Sequence, residues 1–178
     1  FAGIWAVAVD AAGSLYITDG NNSRVRKVGP PTTPSDTTPP TITYVGRTPA
    51  NGNGWNNTNV VVTWSCTDAG SGVVAPTVTQ TVSTEAANQS VTGTCTDNAG
   101  NVSTNTQTGI NIDKTSPTIT YVSRTAPNGN GWNNTNVAVT WSCTDALSGV
   151  VTSTVTQTVS TEGANQSVTG TCTDNAGN

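Results

Sequence analysis

The chain has 178 residues, of which 33% are apolar and only 9% are charged, and its formal net charge is −4 at pH 7. This length and apolar content suit two small domains, with modest cores, better than one large domain. The absence of basic runs argues against a nucleic-acid partner, and no apolar run approaches the roughly 18 residues of a membrane span.

Residues 1–28 form the first predicted segment. The stretch WAVAVDAAGSLYITDGNNSRVRKV (residues 5–28) contains the elements V-D-x-x-G-x-L-Y-I-x-D and N-x-R-V-R-K-V. With these elements it resembles one NHL repeat, the blade unit of a β-propeller. One blade cannot close a propeller, so we expect an NHL-like β segment. Residues 29–37 (GPPTTPSDT) are predicted to form a stiff, extended Pro/Thr-rich linker.

The rest of the chain is an internal repeat. Residues 38–101 align with residues 115–178 at an offset of 77 without a gap, and only 9 of the 64 pairs differ. The repeat predicts two copies of one unit, which we call domain one (residues 38–114) and domain two (residues 115–178).

Within each domain, period-2 runs rich in β-branched residues alternate with Asn, Gly and Pro clusters, which is typical of short β-strands. In domain one the runs are residues 41–45, 59–67, 72–83 (two strands), 89–96 and 106–112. The residues predicted to face the core are Val60, Val62, Trp64 and Cys66. The predicted fold is all-β, with one two-sheet sandwich in each domain.

The four cysteines recur with the repeat: Cys66 and Cys95 in domain one, Cys143 and Cys172 in domain two, each pair 29 residues apart. One disulfide in each domain is the economical pairing, and each would stabilise its domain by about 3–4 kcal/mol. The alternative, a zinc site, would need C-x-x-C spacing or His, and the chain has no His. Disulfides predict an extracellular or cell-surface location.

A second resemblance covers nearly all of residues 36–178. It rests on D-x-T-x-P-x-I-T at the start, NGW, NVVVTWSCTDAGSGV (residues 59–73), STE and VTGTCTDNAGN (residues 91–101). These motifs resemble the bacterial immunoglobulin-like repeats of surface and secreted proteins. The resemblance implies two tandem Ig-like β-sandwiches and a role as spacer, adhesin stalk or filament subunit. Two features depart from antibody domains: Trp64 precedes Cys66 on its own strand, and Gly93 stands where a tyrosine-corner Tyr would be.

Domain two is expected to lack a counterpart of the last strand, TQTGINI (residues 106–112). An uncovered edge invites strand addition from another molecule. We predict that an N-terminal strand of another copy completes domain two in a head-to-tail contact that propagates a filament. The predicted strand-donor residues are Ile4, Val7, Val9, Leu15 and Ile17. The alternative is that the chain is an excerpt of a longer repeat protein, the spacer stalk of an adhesin or secreted protein, whose continuation supplies the strand.

Six Asp residues are candidate calcium ligands. Asp68 and Asp97 follow the two Cys-bearing strands, and Asp36 enters the same end from the linker. The repeat gives a second trio, Asp113, Asp145 and Asp174. Three carboxylates with loop carbonyls suit Ca²⁺, which takes about 6–8 oxygen ligands. The alternative is that each Asp caps a turn through an Asx-type hydrogen bond.

Trp55 and Trp132, in the two NGNGWNN loops, either stack on sugars, as in a glycan-binding module, or close over the end of the core. We favour closure over the core, because exposing the large apolar surface of Trp to water is unfavourable. Trp64 and Trp141 alternate with Val residues and are predicted core residues.

The chain contains six N-x-S/T sequons, which are glycan acceptors if the producing cell has the machinery. The acceptors are Asn21, Asn56, Asn88, Asn101, Asn133 and Asn165. No catalytic site is predicted, because there is no His, the acids are isolated on turns, every Cys is paired and no G-x-S-x-G occurs. The predicted partners are copies of the chain and surface glycans, and calcium is the one candidate cofactor.

Overall fold

The computed structural model describes residues 4–19, 21, 23–29 and 35–178, and of residues 4 and 5 the backbone alone. The regular structure of these residues is entirely β, in four small antiparallel sheets, and the all-β prediction is confirmed. Since no described residue is helical, that part of the chain offers no helix able to cross a membrane. The chain divides into two compact units, Phe1–Thr38 and Pro39–Asn178, and the second contains both predicted domains.

The N-terminal unit is a three-stranded antiparallel sheet of β1 (Ile4–Val9), β2 (Leu15–Asp19) and β3 (Arg24–Val28), with β2 in the centre. Asp10 organises the turn from β1 to β2, because its Oδ1 accepts hydrogen bonds from the backbone N–H groups of Ala12 (3.0 Å) and Ser14 (2.8 Å). Residues 30–34 of the predicted linker lie outside the described residues.

Domain one consists of two sheets that share one core. Strands β4 (Thr41–Arg47), β5 (Val60–Thr67) and β6 (Thr77–Val82) form one sheet with β5 in the centre, and β7 (Ala86–Thr96) pairs with β8 (Val102–Ile112) in the other. The buried apolar cluster draws side chains from both sheets: Val60, Val62, Trp64, Val82, Ile110 and Ile112. The predicted inward positions of β5 are confirmed, since all four are at most 2% exposed.

The prediction of two strands within residues 72–83 was wrong. That range contains one strand, β6, preceded by an isolated bridge between Val73 and Asp97. Val73 pairs with the turn after β7 rather than with a neighbouring strand, so this part of the chain links the two sheets.

Domain two repeats only the first of these sheets. Strands β9 (Thr118–Arg124), β10 (Val137–Thr144) and β11 (Thr154–Val159) pair with β10 in the centre. Residues 163–173, which correspond to β7, form no strand. The physical reason is that β7 takes its ladder bonds from β8, and no described residue plays that part in domain two.

The core positions of domain two are accordingly more open than those of domain one. Val137, Val139, Trp141 and Val159 are half-buried, whereas three of their counterparts, Val60, Val62 and Trp64, are 0% exposed and Val82 is 9% exposed. The prediction that Trp141 is a core residue therefore holds only in part.

Candidate strand-binding groove and carboxylate joint

Strand β8 completes domain one by apolar and polar contacts. Ile110 and Ile112, two positions apart on one face of β8, are 1% and 0% exposed in the shared core. The strand also carries a bulge at Gly109, whose φ of 68° is left-handed. Arg47 donates to the carbonyl oxygens of Thr108 (2.9 Å) and Gly109 (3.3 Å) at this bulge.

Two Asn side chains of β8 fix its register. Trp64 Nε1 donates to Asn105 Oδ1 at 2.9 Å, which satisfies the indole N–H of the buried Trp. Asn111 accepts from the backbone N–H of Asn88 (2.7 Å) and donates to the Gly54 carbonyl (2.9 Å). Local sequence patterns gave no signal for these contacts, because the partners are up to 57 residues apart.

The corresponding region of domain two is an open groove of about 630 Å³. Its lining includes Val137, Val139, Val159 and Val168, the counterparts of residues that β8 covers in domain one, together with Arg124, the counterpart of Arg47. The groove therefore presents features that hold a strand in domain one, namely an apolar floor and an Arg guanidinium, beside residues 163–173, which form no strand ladder.

The second Asp trio meets where domain one joins domain two. At least one carboxylate oxygen each of Asp113, Asp145 and Asp174 lies within 4.8 Å of the other two. Asp113 and Asp174 are 0% and 1% exposed. Asp113 accepts from the backbone N–H of Thr115 (3.1 Å) and Ser148 (3.0 Å), so it bonds both its own linker and a loop of domain two.

Each remaining carboxylate of this trio holds its own turn. Asp174 Oδ1 accepts from the N–H of Gly177 (2.7 Å) and Asn178 (2.9 Å), and Asp145 Oδ1 accepts from the N–H of Leu147 and Gly149. Burial raises the pKa of Asp145, but the hydrogen bonds from residues 147–149 outweigh burial and lower that pKa overall. The Asx-type turns expected as the alternative to calcium are thus present.

The first trio is divided between the two compact units. Asp68 and Asp97 have carboxylate oxygens within 4.8 Å of each other. Asp68 Oδ1 accepts from the N–H of Gly70 (3.0 Å) and Gly72 (2.9 Å). Asp36 belongs to the N-terminal unit, where its Oδ1 accepts from Thr38 N–H (3.0 Å).

Calcium binding stays a prediction for both trios. Oxygen ligands are what Ca²⁺ requires, yet the same carboxylates are already satisfied by N–H donors. A chelator titration followed by thermal melting decides between the two roles: a bound ion would make the melting temperature fall on chelation, and a purely structural trio would leave it unchanged.

Further contacts join the two domains. The side-chain amides of Asn51 (2.9 Å) and Asn53 (3.1 Å), in the NGNGWNN loop of domain one, both donate to the carbonyl oxygen of Asn175. Thr115 Oγ1 donates to Glu85 Oε2 at 2.8 Å, and Asn178 Nδ2 donates to the Asp113 carbonyl at 2.9 Å. Local sequence patterns gave no signal for this role of the Asn-rich loops.

The structure pairs Cys66 with Cys95 and Cys143 with Cys172, each with Cα atoms 5.8 Å apart, and leaves no free Cys among the described residues. Each bridge ties the central strand of a three-stranded sheet to the segment that corresponds to β7. In domain two it therefore holds residues 163–173 beside the groove.

The predicted donor residues lie in the N-terminal sheet. Val7 pairs with Ile17 and Val9 with Leu15, so these four side chains share one face. Because β2 is central, Leu15 and Ile17 have both ladder edges occupied, whereas β1 pairs with β2 alone among the described strands. The side chain of Ile4 lies outside the described residues.

The Trp residues of the NGNGWNN loops do not close over a core. Trp132 is 56% exposed, and Trp55 is half-buried outside the core cluster. The closure prediction was wrong for Trp132, because the loop turns its indole outward and no described segment covers it.

The sequons differ in accessibility. Asn21, Asn88 and Asn165 are exposed. Asn56 is only 9% exposed and its side-chain amide donates to the Pro49 carbonyl (2.7 Å), so it is not accessible in the folded domain, and glycosylation stays a prediction at all six positions. Asn101 and Asn133 are half-buried, and their amides donate to Asp97 (2.7 Å) and to the Ala126 carbonyl (2.9 Å).

Comparison with protein families matches the model of the NHL repeat to residues 1–28. This match confirms the resemblance seen in the N-terminal segment. Comparisons with curated proteins and with solved structures gave no match.

Proposed function

We propose that the chain is an extracellular structural protein built from tandem Ig-like sandwiches, which assembles head to tail by β-strand complementation. The observation that carries the proposal is the groove of domain two, where Val137, Val139 and Val159 are half-buried although their counterparts Val60, Val62 and Val82 are buried in domain one. Two disulfides support an extracellular setting.

Strand β1 of another copy is the proposed donor. Its residues 7–10 read VAVD, and the end of β8 with the following residue reads INID (residues 110–113). Val7 and Val9 then take the places of Ile110 and Ile112. Both Val side chains are exposed in the N-terminal sheet, at 54% and 63%, and β1 is an edge strand. Ala6 replaces the bulge Gly109, so the donor must enter without the left-handed residue.

A concentration series tests this assembly. Analytical ultracentrifugation with electron microscopy should show oligomers of the full chain that lengthen as concentration rises. Val7→Asp with Val9→Asp should abolish them, because charges cannot enter an apolar groove unpaired. Val25→Asp, on the outer strand β3 and also exposed, is the matched control. A wild-type chain that stays monomeric throughout would refute copy-to-copy donation.

The second candidate is a spacer stalk, in which the same polypeptide supplies the strand. The joint between the domains favours it, since Asp113, Asn175 and Asn178 couple neighbouring domains directly. A continuation with the residues of β8 would restore the Gly bulge as well as the two Ile contacts. Monomeric behaviour in the concentration series would favour this candidate.

A further inference from the structure

The loop at residues 128–134 of domain two, here called the distal loop, has the same sequence as residues 51–57 of domain one, NGNGWNN. Both loops are built alike. Asn51 Oδ1 accepts from the N–H groups of Asn53 and Trp55, and Asn128 Oδ1 accepts from those of Asn130 and Trp132. The loop therefore keeps its internal conformation in both domains.

The two loops differ in what they contact. In domain one, Asn51 and Asn53 donate to the carbonyl oxygen of Asn175, in the TDNAGN loop (residues 173–178) of domain two. All four Asn residues are exposed, but among the described residues the side-chain amides of Asn128 and Asn130 have no partner in another domain. Trp132 is 56% exposed, whereas Trp55 is half-buried.

We infer that the distal loop is a docking site for the TDNAGN loop of a further module of this same type. The partner is specified by chemistry: two side-chain amides, held by the loop, meet one backbone carbonyl at an Asn-Ala-Gly turn. Trp132 lies under the incoming module and becomes half-buried like Trp55. The inference rests on the proposed array of like modules, and it assigns the exposed Trp to contact between modules rather than to sugar binding.

Two extended chains separate docking from strand completion. The first carries residues 102–114 appended after Asn178, which supplies a β8-like strand alone. The second carries residues 102–178 appended there, which supplies the strand and a third module. Hydroxyl-radical footprinting measures the oxidation rate of Trp132 in both, and Trp55 in the same chains is the internal reference.

The expected result is that the oxidation rate of Trp132 falls from the strand-only chain to the three-module chain and approaches that of Trp55. Asn130→Asp should restore the faster rate in the three-module chain, because it replaces the amide donor by an acceptor facing the carbonyl. Asn53→Asp is the matched variant at the existing joint, and it should raise the rate of Trp55 only.

Equal Trp132 rates in the two extended chains would overturn the inference, whatever the strand does. A strand-only extension that leaves residues 163–173 without added protection from hydrogen exchange would instead count against the groove as a strand acceptor. The two failures are therefore distinguishable in one set of samples.

Discussion

Gly93 lies in the middle of β7, where a glycine ordinarily weakens a strand because it packs no side chain. A Cβ built on Gly93 would lie 2.5 Å from a ring carbon of Trp64. The ring thus occupies the space that any other residue would fill. Gly170 has the same relation to Trp141 in domain two, at 2.6 Å.

We therefore expect Gly93→Ala to destabilise domain one by about 1–3 kcal/mol, since the overpacked ring must shift within a closed core. Chemical denaturation followed by Trp fluorescence measures the change. Gly46→Ala, where a Cβ meets nothing within 4 Å, is the control and should be nearly neutral. Equal effects of the two substitutions would contradict the role given to the Trp64 contact.

The carboxyl group of Asp97 is expected to make the stability of domain one depend on pH. It is 1% exposed; burial raises its pKa, but hydrogen bonds from the side chain and backbone of Asn101 and from the N–H groups of Ala99 and Gly100 lower it overall. Because the folded pKa lies below the unfolded value of about 3.9, the stabilisation is present above that value and is lost as pH falls through the folded pKa.

The melting temperature should consequently fall as the protein is acidified below about pH 4, and Asp97→Asn should reduce the size of that fall. Thermal melts by circular dichroism from about pH 7 to about pH 2, in the presence of chelator, check this. Superimposable pH profiles of the variant and the wild type would show that Asp97 does not carry the effect.

At the level of elements, β5 and β10 form a natural comparison, since their sequences differ only at Val61 and Ala138. Strand β5 is covered by Ile110 and Ile112, and burying an aliphatic side chain of this size contributes about 1.5–3 kcal/mol. The described residues give β10 no such cover. Nearly identical strands thus differ in burial within one chain.

Hydrogen exchange followed by mass spectrometry should show faster exchange in β10 than in β5, because local opening costs less where fewer apolar contacts are lost. The comparison is internal and needs no variant. Equal protection of the two strands would mean that the covering strand contributes little.

Alternation along β5 was enough to predict its four buried positions, and the repeated 29-residue spacing was enough to suggest the Cys pairs that the structure contains. Both signals are local or repeated in sequence. The contacts of Arg47 and Asn105 with other strands could not be predicted, because they depend on which segments meet in space. Gly93 stands out in the sequence as a glycine within a strand pattern. The reason that a glycine is needed there, the ring of Trp64, is distant in sequence and could not be predicted.

At the scale of the whole molecule, two features concern neighbouring domains: the joint between domain one and domain two, and the groove of domain two. The joint connects one domain to the next through buried Asp113 and the amides of the NGNGWNN loop. The groove of domain two offers the surface on which another strand would continue the array. These two features together are the basis on which we propose an end-to-end structural role, and the proposal does not depend on which polypeptide supplies the strand.

The groove as a strand acceptor is tested most directly by adding the peptide VSTNTQTGINIDK (residues 102–114) to the full chain and following hydrogen exchange. We predict that residues 163–173 and β10 become protected, and that a peptide with Asp at both Ile positions has no effect. Unchanged exchange at residues 163–173 at the highest soluble peptide concentration would contradict the account.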